Sequence, residues 1–135
     1  MTRRARMGLG LLVSLAVFAG VLAAEDVTLK GSFVWERNDD NRDGEVTAVF
    51  TPTGDTEWAV AFHFNWEDEP HTYKGTATGS LSSGELKGAV EADGDNHKMS
   101  FRFSGSFEDG LFTGTHSFVD KSGDLKPSGT LTLEP

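Results

Sequence analysis

The chain has 135 residues, 21 of them acidic against 12 basic, a net charge of −9, and no cysteine. That balance argues against nucleic acid or an anionic membrane surface as a partner, since both select for lysine and arginine. The lack of cysteine excludes a disulfide framework, so stability has to come from a hydrophobic core, which a single domain of this size can bury.

The first residues read as an address. Arg3, Arg4 and Arg6 form a basic start, Leu9 to Leu22 is an apolar run, and Val21-Leu22-Ala23-Ala24 ends it on small residues. This is the pattern of a signal peptide over residues 1–24, cut after Ala23 or Ala24. The apolar run is about 14 residues, short for a membrane span, which needs roughly 20. A soluble protein exported to the periplasm or the extracellular space is the expectation. Losing three arginines leaves nine basic residues against 21 acidic, a net of −12, over a single all-β domain at 25–135.

Beyond residue 25 the pattern is alternation bounded by Gly, Asp, Asn and Pro, not a helical period. It predicts eight strands, at about 27–37, 45–51, 57–66, 71–81, 85–92, 97–107, 111–119 and 126–134. The first strand turns Val27, Leu29, Gly31, Phe33 and Trp35 to one face. Between the first and second, Asp39-Asp40-Asn41-Arg42-Asp43-Gly44 matches D-x-N-x-D-G, the opening of a calcium loop. Asp39, Asn41 and Asp43 would supply oxygen at alternate positions. The twelfth position is Phe50 rather than the bidentate Glu, so a solvated hairpin loop ending in Asp-Gly competes with a weak calcium site.

The third strand aligns Trp58, Val60, Phe62, Phe64 and Trp66 on the apolar face. A loop at Glu67 to Pro70 follows, and if it sets the register, Phe62 faces Gly75 and Trp58 faces Gly79. The fourth strand shows a polar outer face of Thr72, Lys74, Thr76, Thr78 and Ser80. The sixth alternates Met99, Phe101, Phe103, Gly105 and Phe107 with Lys98, Ser100, Arg102, Ser104 and Ser106.

A segment repeats at an offset of 26 residues: Gly79 to Gly88 and Gly105 to Gly114 both read G-S-(L/F)-x-x-G-x-(L/F)-x-G. Ser83-Gly84 and Asp109-Gly110 are tight-turn signals. Two-residue turns there would set Leu81 opposite Leu86, Gly79 opposite Gly88, Phe107 opposite Phe112 and Phe103 opposite His116. Seven glycines fall on the apolar face, which suits a small barrel whose strands bend sharply to close. The fold expected is an eight-stranded antiparallel up-and-down barrel; an open twisted array of β-hairpins shares the same alternation.

Two resemblances follow. The meander resembles the small barrels of the avidin and lipocalin kind, which implies an interior ligand. Phe103-Ser-Gly105-Ser-Phe107-Glu-Asp-Gly110-Leu-Phe112-Thr-Gly114 resembles a MORN repeat, Y-x-G-x-(F/W)-x-x-G-x-x-x-G-x-G, with Ala77 to Gly88 a poorer copy. That likeness implies an open hairpin array making protein or lipid contact.

Trp35, Trp58, Trp66 and Tyr73 share the apolar face with His116 and are the candidate ligand-binding residues; the bland alternative is that large rings fill space that glycines leave. His63, His71 and His97 are expected outward or at loop ends, and the acidic Glu67-Asp68-Glu69 near His71 reads as a solvated loop. No G-x-S-x-G, P-loop, cysteine nucleophile or H-E-x-x-H is present, so no enzyme is expected. The reading is a binding module holding a small, mostly apolar molecule inside the barrel, without a cofactor unless calcium. The alternative is a structural or protein-interaction module acting through its outer face and acidic loops.

Overall fold

A computed structural model describes residues 25–37, 40–93 and 99–135. The expected signal peptide, Asp39, His97 and Lys98 lie outside the described residues. The eight strands are β1 Val27–Arg37, β2 Asp40–Pro52, β3 Glu57–Trp66, β4 Glu69–Gly79, β5 Gly84–Ala92, β6 Ser100–Glu108, β7 Leu111–Val119 and β8 Leu125–Glu134. Each pairs antiparallel with its neighbour in sequence, and β8 pairs back onto β1, closing the barrel. The open array implied by the MORN likeness is therefore not what forms. Closure pairs Lys30 to Trp35 of β1 with Gly129 to Glu134 of β8, covering the stretch of edge that could recruit another chain.

The physical cause is the two-residue period of the sequence. Leu29, Val46, Ala48, Phe50, Val60, Phe62, Tyr73, Ala77, Leu86, Val90, Phe103, Phe107, Phe112, Leu131 and Leu133 are buried in one core. Most of their strand neighbours are polar, with the partly exposed Val49, Ala59, Ala61 and Ala89 among the apolar exceptions. Glycines let the wall curve tightly: a Cβ on Gly75 would sit 1.8 Å from the carbonyl oxygen of Ala89 on the next strand. Elsewhere a ring covers the bare backbone, as Phe33 does over Gly44 and Phe103 over Gly88.

The β6–β7 hairpin has the expected register, with Phe107 opposite Phe112 and Phe103 opposite His116. Asp109 and Gly110 take φ of 53° and 83°, the left-handed pair a tight hairpin requires. Two other registers differ from expectation by two residues. Between β4 and β5 Gly79 faces Leu86 and Ala77 faces Gly88, leaving Leu81 outside the ladder. Serine tolerates the left-handed region less well than aspartate, so Ser83 does not reproduce the Asp109 turn. A wider loop forms instead, in which the Ser80 hydroxyl accepts from the backbone N–H groups of Ser82 and Ser83.

Between β3 and β4 the turn is the tight pair Glu67-Asp68, with φ of 53° and 65°, rather than a loop reaching Pro70. Phe62 accordingly faces Tyr73, and Trp58 faces Ala77. A slip of two keeps every side chain on its expected face. β2 also starts earlier than expected, at Asp40, so that Gly44 lies within the ladder opposite Phe33 instead of ending a loop.

A candidate binding cup

The barrel interior is divided along its axis. At the end where the chain enters β1 and leaves β8, Leu29, Phe50, Leu86, Phe112 and Leu133 are each no more than 1% exposed. Phe50 meets Trp58 and Phe62 edge-on, with ring centroids 6.3 and 6.5 Å apart. Rings in this arrangement leave no room for a guest. Above them Phe62 and Phe103, 5.3 Å apart, form a floor.

Over that floor opens a cavity of about 310 Å³. Its wall is aromatic: Phe33, Trp35, Phe64, Trp66, Tyr73 and Phe101 line it, with Met99 at the rim. The rings brace one another, Trp35 against Trp66 at 5.8 Å, Phe33 against Phe64 at 5.2 Å and Tyr73 against Phe101 at 5.3 Å. At the top, two arginines at inward positions of their strands lie on rim rings: Arg37 on Phe118 at 4.0 Å and Arg42 on Trp66 at 4.9 Å. Arg42 also pairs with Glu67 at 3.0 Å, tying β2 to the β3–β4 turn.

Four of the five ligand-binding candidates, Trp35, Trp66, Tyr73 and His116, line this cup together. Trp58 does not. Its indole N–H donates to the Gly79 carbonyl at 2.9 Å, and its ring packs on Phe50 at the closed end. The separation follows from strand length: Trp58 and Trp66 share a face but stand eight residues apart, which is roughly 26 Å of strand.

His116 lines the wall with both nitrogens occupied. Nε2 lies 3.0 Å from the Val34 carbonyl oxygen, which can only accept, so Nε2 carries the proton. Burial lowers the pKa, opposed by hydrogen bonds to the Val34 and Thr130 backbone and by the charge of Glu36, and the ring is neutral near pH 7. Nδ1 lies 2.5 Å from the Ser128 hydroxyl, whose one proton also has the His116 backbone carbonyl as an acceptor at 3.0 Å. A ligand meets the ring carbons of His116 and not its nitrogens.

Ser128 was not a sequence candidate, and it is fully buried. It is the extra residue of a β-bulge, since His116 faces Gly129 while Ser117 faces Pro127. A proline inside a strand cannot donate to the ladder and marks such a bulge, so Pro127 was the available signal. His71 also differs from expectation: it lines the cup, stacked on Phe64 at 5.7 Å. Its parity with Tyr73 on β4 carried that information. His63 faces outward as expected, with Nδ1 3.0 Å from the Thr72 hydroxyl.

Asn41 and Asp43 sit at exposed positions on the extended β2, opposite Glu36 and Val34 of β1, and Asp39, the first residue of that motif, lies outside the described residues. Among the described residues no group of three or more His, Asp or Glu side chains is placed to hold a metal ion. Compared with known proteins, the chain matches no protein family, no curated protein and no solved structure.

Proposed function

We propose that this protein is an exported, non-enzymatic binding module that holds one small apolar molecule in the open end of its barrel. The observation that carries this reading is the asymmetry of the interior. One end is packed solid by Leu29, Phe50, Phe112 and Leu133, while the other keeps a ring-lined space of about 310 Å³. A chain able to fill one end so completely could have filled the other with the same residue types; space kept at one end only is what a guest requires. An engineered cavity of about 150 Å³ lined by apolar side chains stays dry and takes benzene. Twice that volume suits a bicyclic guest.

Titration with tetralin, followed by the tryptophan indole N–H resonances, tests it. Trp35 and Trp66 should shift while Trp58, at the closed end, stays in place. Unmoved resonances at saturating tetralin, or shifts equal at all three tryptophans, would defeat the proposal.

A further inference from the structure

Tyr73 stands out within the cup. The residue is 7% exposed, yet among the described residues its hydroxyl has no hydrogen-bond partner. Its ring is held by Phe64 at 5.5 Å and Phe101 at 5.3 Å, so the phenol cannot swing outward without breaking both contacts. Buried polar groups are nearly always paired, and leaving one unpaired is unfavourable. Of the other polar side chains of the cup, His116 is satisfied by Val34 and Ser128, while Trp35, Trp66 and His71 are partly exposed where Tyr73 is buried.

We infer that the Tyr73 hydroxyl is the polar anchor of the cup, and that the guest is a neutral apolar molecule carrying one oxygen acceptor, a ketone or a related carbonyl on a ring skeleton. This rests on the cup being the binding site. Charge is excluded from the guest by the wall itself. No Asp, Glu, Lys or Arg lines the cavity, and a buried charge without a partner is far more costly than a buried carbonyl. Burial also raises the pKa of Tyr73, so the phenol keeps its proton and donates. The rim arginines do not reverse this, because Arg37 lies on Phe118 and Arg42 lies on Trp66 and pairs with Glu67.

Three probes of one size decide it: tetralin, 1-tetralone, which adds a carbonyl to the same skeleton, and 1-naphthoate, which adds a charge. Calorimetric titration of the protein should give 1-tetralone a gain over tetralin of roughly threefold to tenfold, the range of one hydrogen bond to a neutral buried group. 1-Naphthoate should bind more weakly than either. In Tyr73→Phe, which keeps the ring and is expected to fold, the affinities for 1-tetralone and tetralin should become equal, whatever the affinity for tetralin itself becomes. Equal affinities of tetralin and 1-tetralone for the unaltered protein would overturn the anchor without any variant. So would a gain that survives in Tyr73→Phe, or 1-naphthoate binding tightest. Failure of all three probes, tetralin included, would remove the cup reading and the anchor with it; tetralin binding without a gain for 1-tetralone removes the anchor alone.

Discussion

At the scale of single residues, the neighbourhood of His116 concentrates what is least replaceable. Gly129 faces it at a φ of 151°, and a Cβ there would lie 1.7 Å from the Val34 carbonyl oxygen that His116 itself binds. Gly129→Ala is therefore expected to cost roughly 3 kcal/mol or more, by strain and backbone collision together. Denaturant titration reads it directly, and a loss under about 1 kcal/mol would mean that β8 can shift away from β1. Ser128→Ala leaves Nδ1 of His116 without its hydroxyl partner and removes the bond to the His116 carbonyl, and should cost about 1–3 kcal/mol.

The same pair sets a pH response. An unfolded histidine protonates near pH 6.5, and burial holds native His116 below that. Between those two values the unfolded chain binds the extra proton and the native state does not. The contribution of His116 is therefore complete above about pH 6.5, declines as pH falls through the window, and is gone below the native pKa. Urea midpoints at pH 7.5 and 5.5 should fall further for the unaltered protein than for His116→Phe. Equal falls would show that the imidazole takes up its proton without loss of stability.

At the scale of strands and turns, the sequence carried faces better than registers. The inward residues expected on β1, β3 and β6 are where the two-residue period places them, because parity is a local property of the backbone; the exception is Met99, which precedes β6 and is exposed at the rim. Register depends on what each turn can do, and here the sequence is a poorer guide. Asp109-Gly110 is a recognised tight pair, and its hairpin follows. Glu67-Asp68 makes the same kind of turn without glycine or asparagine, held by Arg42 reaching Glu67, a contact made across 25 residues that local sequence does not announce. The cup was half legible for the same reason. That Trp35, Trp66, Tyr73 and His116 share a face follows from parity; that Trp58 falls at the far end depends on where along the axis packing stops.

The Glu67-Asp68 turn holds two residues in a region that disfavours side chains by roughly 1–2 kcal/mol each, aspartate less than most but more than glycine. Asp68→Gly should therefore raise stability by about 1 kcal/mol, with the Arg42–Glu67 pair kept. A lower thermal midpoint for that variant would show that Asp68 makes a contribution its backbone angle conceals.

At the scale of the whole molecule, two halves of one barrel have different duties and should respond differently to mutation. Phe112→Ala in the packed half empties a filled core and should cost about 3–5 kcal/mol. Trp66→Ala borders space that already exists and should cost markedly less stability while weakening tetralin binding. Paired measurements of melting temperature and affinity on the two variants would separate these effects. A reversal, with the rim tryptophan the more stabilising, would mean that the upper half collapses inward once a ring is lost.

An even number of strands returns the chain to the side from which it started. Val27 enters and Glu134 leaves at the solid end, opposite the mouth. A label, tag or surface tether joined at either end of the barrel thus hangs behind the cup, and the entrance stays clear. Immobilised on a sensor through either end, the protein should present the same open face and give the same affinity, as a goblet does when held by its foot.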